Sequence, residues 1–238
     1  MFNFLNQNKR KLLKSSNPIK FTNKVIYEKK ENFYTKDYKQ ELLDINTDST
    51  LTFSIYWNLK IKSDTLLFSF SNIKSNILIV YPQQLGREHS KTTSFKTTYK
   101  ENSKNNIIQI LHGEGYVLLE SIEEYSQKII KIIKVSDNNI VLIPKNYTFT
   151  IINTSKNKNL ICINFMGKRT NLEPNSLKLG YGNSIYSTIN GFIKNKNFIT
   201  DYKLEEYQGN YIEDLNFTNK QSLYEEFIKL PAKFNFLQ

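Results

Sequence analysis

Residues 77–92 read Ile77-Leu-Ile-Val-Tyr-Pro-Gln-Gln-Leu-Gly-Arg-Glu-His-Ser-Lys-Thr92, and residues 108–116 read Ile108-Gln-Ile-Leu-His-Gly-Glu-Gly-Tyr116. In both stretches an apolar run stops at a proline or a pair of glycines, where strand pairing has to pause. The same grammar extends outward. Leu51-Thr-Phe-Ser-Ile-Tyr-Trp-Asn-Leu-Lys-Ile61 alternates apolar and polar residues with the period of a half-buried strand. Further short runs are Thr65 to Phe70, Asn76 to Tyr81, Asn106 to Leu111, Tyr116 to Glu120, Ile129 to Val135, Asn139 to Ile143, Tyr147 to Ile152 and Asn159 to Phe165. Turn residues separate them at Leu85-Gly86, Asp137-Asn-Asn139 and Thr154 to Lys158. Glu123 to Lys134 also fits a helical period, and its β-branched residues tip it to strand. Eight or nine such strands predict an all-β barrel or sandwich.

A chain of 238 residues suits one such domain with decorations. Its hydrophobic fraction of 39% and aromatic fraction of 13% supply a core that a disordered chain would lack. Residues 1–24 read as a basic arm, with Lys9, Arg10, Lys11, Lys14, Lys20 and Lys24 and no acid before Glu28. Residues 25–200 read as the barrel with its N-terminal strands; after Phe165 the alternation fades into a loop-rich stretch that ends in a C-terminal tail, 201–238. That tail carries one helix, from about Asn219 to Leu230, capped by Thr218 or Asn219, with Leu223, Phe227, Ile228 and Leu230 turned inward. The lone Cys162 sits in an apolar run and reads as a small packed hydrophobe, with a reducing compartment as the default. No apolar stretch reaches the length of a membrane-crossing helix. The net charge of +11 fits an anionic partner, yet only three of the 33 basic residues are arginine, and lysine-rich coding bias explains the excess as well.

The two opening stretches resemble the cupin family of glucose-6-phosphate isomerases. There a strand ending in proline leads to G-x-E-x-x-K-T-x-G-H-x-H and then to E-x-Y-x-x-L-x-G-x-G. Gly86, Glu88, Lys91, Thr92, Leu111, Gly113 and Gly115 stand in the corresponding places. Asn139 to Thr154 is similar to the family's second motif, with Pro144, Asn153 and Thr154 in register, and Tyr181 to Tyr186 and Gly191 to Phe198 resemble its closing elements. The resemblance implies a cupin barrel, the double-stranded β-helix or jelly roll, flanked by an irregular N-terminal arm and a C-terminal helix.

It also implies a divalent metal held by three histidines and a glutamate, which would polarise the sugar's oxygens. Aligned on Lys91-Thr92, Gly113 and Pro144, those four positions fall on Phe95, Thr97, Asn106 and Phe149, none of which suits that ion. The chain has two histidines, His89 and His112, and both read as surface or turn residues rather than ligands. No cofactor, metal or catalytic residue is therefore expected. A vestigial substrate pocket would use Thr92, Lys96, Tyr99 and Asn106, with Leu78 at a position where the family holds a phosphate-binding threonine. The acid pairs Glu123-Glu124, Glu205-Glu206 and Glu225-Glu226 read as solvated faces, since neighbouring side chains diverge.

These readings make the chain a catalytically inactive cupin with a binding, scaffold or assembly role. Two alternatives stand beside it: a working glucose-6-phosphate isomerase, and a structural subunit of a larger complex, nucleic-acid-containing or organellar. The expected partners are a second copy or other subunits and an anionic ligand, either a sugar phosphate or nucleic acid. The expected location is cytoplasmic, with an organelle as the alternative because the basic arm overlaps with transit peptides.

Overall fold

The computed structural model describes residues 13–14, 20–44, 48–100, 102–121, 128–174, 182–198, 201–212, 215, 217 and 221–238. Most of the basic arm, the pair Glu123-Glu124, Tyr181 and the segment 218–220 lie outside the described residues.

Fifteen strands of four or more residues carry the fold: β1 Lys29–Tyr34, β2 Leu51–Trp57, β3 Ile73–Val80, β4 Glu88–Lys91, β5 Phe95–Tyr99, β6 Asn106–His112, β7 Gly115–Ser121, β8 Lys128–Val135, β9 Ile140–Ile143, β10 Tyr147–Asn153, β11 Leu160–Gly167, β12 Asn171–Pro174, β13 Ile185–Thr188, β14 Gly191–Lys194 and β15 Tyr202–Gln208. One sheet runs β9-β6-β11-β3-β2-β1. The other runs β14-β13-β4-β10-β7-β8-β15, with β5 paired to both β10 and β12. Ladders between neighbours are antiparallel except β8 with β15. The two sheets face each other around one apolar interior, which is the cupin barrel expected from the two opening stretches.

Apart from its edge strand β1, the first sheet is buried on both faces. Leu78, Val80, Ile108, Ile110, Leu160 and Cys162 point into the barrel against Val117, Leu119, Phe149 and Ile151 of the second sheet. Their neighbours Ile77, Ile79, Ile107, Ile161, Ile163 and Phe165 point the other way, onto a second cluster supplied by the C-terminal segment. All eight residues of β11 are therefore buried, and the strand reads as a nearly continuous apolar run rather than an alternating one. Inside it, burial pushes the Cys162 thiol up to about 12, so it packs as an un-ionised hydrophobe.

Three sequence expectations need correction. Thr65–Phe70 is a short helix, α1, not a strand: Phe68 packs inward, while Leu66 and Phe70, which strand alternation would place beside it, are 71% and 82% exposed. The region after Phe165 is not a loop-rich tail, because β12, β13, β14 and β15 all join the second sheet. Their polar outer residues hid the alternation. The C-terminal helix, α2, spans Leu223–Lys229 and is capped by Ser222, whose hydroxyl accepts from Glu225 N at 3.1 Å. It buries Leu223, Tyr224 and Phe227, whereas Leu230 is 55% exposed because the helix has already ended there.

The glycines that opened the sequence reading meet specific demands. Gly113 holds φ of +95° at the β6–β7 turn, where a Cβ would lie 2.6 Å from Asn159 O. At Gly115 the backbone of Ile152 passes so closely that no side chain fits.

Phe227 is fully buried, with its ring 4.6 Å from Phe68 and 5.3 Å from Phe234. Phe227→Ala is expected to destabilise the protein by about 3–5 kcal/mol in denaturant unfolding. A loss below about 1 kcal/mol would show that α2 does not seal the outer face of the first sheet.

Candidate functional site

The four positions aligned with metal ligands come together inside the barrel. Phe95 on β5 and Phe149 on β10 are directly paired across an antiparallel ladder, with ring centroids 5.8 Å apart. Phe53 approaches Phe95 edge-on at 6.0 Å and stacks on Phe33 at 4.3 Å, so aromatic carbon fills this end of the interior. Alternation along β5 turns Thr97 to the same side as Phe95 and Lys96 to the opposite side.

Next to the rings lies a chain of buried amides. Asn106 Nδ2 donates to Thr97 Oγ1 at 3.1 Å, and Asn106 Oδ1 accepts from Asn164 Nδ2. Asn164 Oδ1 in turn accepts from Asn76 Nδ2 at 2.8 Å, while Asn76 Oδ1 accepts from Asn58 N at 2.9 Å. Asn76, Asn106 and Asn164 are fully buried, and each satisfies its polar atoms through the next. The donor set therefore does not fit a catalytic transition metal: two phenyl rings offer nothing, and the hydroxyl and amide oxygen already accept hydrogen bonds. Among the described residues, no three His, Cys, Asp or Glu side chains converge.

The residues expected to line a vestigial pocket are scattered. Thr92 is fully buried, and its hydroxyl accepts from Ile151 N at 3.1 Å, which ties β4 to β10. Lys96 faces away from the interior, and Tyr99 borders a separate cavity near Lys168 and Arg169. Asn106 alone belongs to the amide chain. Thr92, Lys96, Tyr99 and Asn106 are thus spread over separate environments, and of the four only Tyr99 lines either cavity described for the molecule.

The matched motif residues Glu88 and Lys91 form a buried lock instead. Lys91 Nζ donates to Glu88 Oε1 at 2.5 Å and to Glu41 O at 2.9 Å, and Glu88 Oε2 accepts from Leu43 N at 2.6 Å. The Glu41 carboxylate accepts from Thr93 Oγ1 and, at 3.0 Å, from Ser94 N. These bonds clamp the 3₁₀ segment Thr35–Glu41 onto the barrel, and burial raises the nearby Tyr38 phenol far above its ordinary range.

What the sequence reading missed is the cavity at the barrel mouth. About 360 Å³ in volume, it is lined by Glu28, Lys29, Glu31, Trp57, Asn58, Lys74, Asn76, Asn171 and Leu172. Asn76 makes it continuous with the amide chain. Trp57 Nε1 donates to Glu31 Oε2 at 2.5 Å, and Lys29 lies over the indole at 5.6 Å. Lys74 donates to Thr170 O at 2.6 Å, and burial lowers its ammonium below the usual lysine range. A polar residue inside an otherwise apolar strand, as at Asn76 and Asn164, was the available signal.

Asn106→Ala is expected to cost about 1–3 kcal/mol by stranding Asn164 and Thr97, and an unchanged unfolding midpoint would refute the amide chain. The two histidines predict a pH effect. His89, half-buried with Nδ1 3.0 Å from Ser187 Oγ, is pushed below its ordinary 6.5 by burial, and burial likewise lowers His112 despite Asp137. The fold favours both in the neutral form, so stability is highest above the unfolded value and falls as pH drops below about 6.5. The double variant His89→Gln/His112→Gln should flatten the stability curve between about pH 5 and 6.5 in unfolding titrations, and an unaltered slope counts against it.

The glucose-6-phosphate isomerase (GPI) family model matches residues 29–203. Among curated proteins nothing matches. Solved structures similar to this chain include the coconut allergen cocosin, at 12% identity and TM-score 0.34 over 48% of this chain and 28% of that one. Vicilin from Corylus avellana (hazelnut) gives 16% identity and TM-score 0.36 over 69% of this chain and 36% of that one. Pumpkin seed globulin gives 12% identity and TM-score 0.37 over 50% of this chain and 29% of that one. The chain spans about a third of the length of these proteins. With the family model running from β1 into β15, over well more than half of its length, the chain belongs to the glucose-6-phosphate isomerase family.

Proposed function

We propose that this member of the family is catalytically inactive and serves as a binding cupin, taking a small hydroxyl-rich molecule at the barrel mouth. The observation that supports the reading is that the positions aligned with metal ligands hold the Phe95–Phe149 pair and Asn106, itself tied into the Asn106–Asn164–Asn76 amide chain. Aldose–ketose isomerisation needs a base beside the substrate's first two carbons and a group to polarise its oxygens. Neither a carboxylate nor a histidine stands among these residues.

The mouth supports binding rather than turnover. One indole, three amides and two charges of each sign surround a cavity of a size that admits a sugar, and such mixed linings suit neutral polyhydroxy ligands. Trp57 is the sole tryptophan, so its fluorescence reports directly on that cavity.

The test uses the full chain supplied in turn with manganese, iron(II), nickel and zinc, in a coupled assay with glucose 6-phosphate and fructose 6-phosphate. The expected result is no turnover above the blank and a saturable change in Trp57 fluorescence with at least one hexose or hexose phosphate. Stoichiometric metal accompanied by turnover would overturn the inactive reading. Fluorescence unresponsive to every sugar would overturn the binding role.

A further inference from the structure

A second cavity lies outside the barrel mouth, about 250 Å³ in volume and lined by Asn72, Tyr99, Lys104, Gly167, Lys168, Arg169, Thr170 and Gln238. Its lining holds three cations and no carboxylate side chain. Among the described residues, the ion pairs leave Lys104, Lys168 and Arg169 without an acidic side-chain partner. Among the described residues, Lys104 Nζ donates to the Gln238 main-chain oxygen, at 3.5 Å, and to no acidic side chain. Arg87, by contrast, is held by Asp44 through contacts as short as 2.8 Å. Cations that cluster without acids repel one another, and an anion relieves that repulsion.

The backbone under these side chains is fixed. Lys168 and Arg169 occupy the β11–β12 turn, where Lys168 N donates to Asn72 O at 2.7 Å and Thr170 N to Gly167 O at 3.0 Å. The Thr170 hydroxyl also donates to Gly167 O at 2.7 Å, and Lys74 Nζ grips Thr170 O from the far side at 2.6 Å. Gly167 is required there, because a Cβ would lie 2.8 Å from Leu237 O. A turn pinned on both sides presents its two cations with little ordering cost. Lys100, whose ammonium lies 5.6 Å over the Tyr99 ring, adds charge at the rim.

We propose that this cavity is a binding site for a phosphoryl dianion, either inorganic phosphate or the phosphate end of a small phosphomonoester. Arg169 supplies a planar fork for two phosphoryl oxygens, Lys104 and Lys168 supply point charges, and the Tyr99 hydroxyl and Asn72 amide supply neutral donors. The volume lies below the usual range of drug-sized sites, which sets the ligand at a phosphoryl group with a small organic body. The site does not depend on the reading of the barrel mouth.

The test is calorimetric titration of the full chain, at near-physiological salt, with inorganic phosphate and with glycerol 3-phosphate. Saturable binding is expected, weakened at least about tenfold in Lys104→Gln/Lys168→Gln/Arg169→Gln. The control Lys36→Gln/Lys39→Gln/Lys145→Gln, which removes the same charge from exposed positions elsewhere, is expected to keep the wild-type affinity. Tighter binding of glycerol 3-phosphate identifies a phosphomonoester as the ligand, and equal affinities identify free phosphate. Absence of binding, or equal weakening in both triple variants, overturns the site. So does a single-stranded RNA without terminal phosphates that binds tighter than either probe and loses that binding in the first variant, since the cations would then serve a nucleic-acid backbone. Trp57 fluorescence reads the mouth separately, so failure of one site is distinguishable from failure of the other.

Discussion

Phe95 and Phe149 face each other across the β5–β10 ladder, and the interior around them is organised by the need to fill a barrel without leaving a void. A catalytic metal needs polar ligands around it and an open position beside it. Here two rings occupy that space, a third from Phe53 packs edge-on against Phe95, and the remaining buried polar positions satisfy one another. The amide chain from Thr97 through Asn106 and Asn164 to Asn76 is the outcome. It crosses β5, β6, β11 and β3, binding strands from both sheets at the end of the barrel where the aromatic packing stops.

The outer layer follows from a second shortage of cover. The first sheet is apolar on both faces, so its back needs a lid, and α1, α2 and the last residues of the chain provide one built largely from phenylalanine. The pair Glu88–Lys91, which stands in the places of the first motif, is spent on holding the Thr35–Glu41 segment to the barrel. A buried ion pair of this kind fixes geometry more than it adds stability.

Much of this was legible beforehand. The barrel strands Leu51–Trp57, Asn106–His112, Tyr147–Asn153 and Leu160–Gly167 announce themselves by apolar content, and Gly113 and Gly115 by turn chemistry. The edge strands were not legible: Tyr202–Gln208 exposes most of its residues to solvent, so its sequence carries no alternation to detect. Thr65–Phe70 misled because a helix of six residues has too few turns to show its period against an alternating pattern. At the site, the proximity of Phe95, Thr97, Asn106 and Phe149 was readable from the motif spacing, since Phe95 pairs with Phe149 and Thr97 bonds to Asn106. The mouth cavity was not, because Glu31, Trp57, Asn76 and Asn171 come from four separate strands and share no motif.

The turn from Gly167 to Leu172 borders two hollows at once. Lys168, Arg169 and Thr170 line the cationic one, Asn171 and Leu172 the one at the mouth, and Lys74 bolts the turn between them. Because the turn is pinned on both sides, a shift forced on it from one hollow is carried to the lining of the other. Two ligands that never touch would then alter each other's affinity by the same factor. The barrel would in this way hold a means of registering two molecules together.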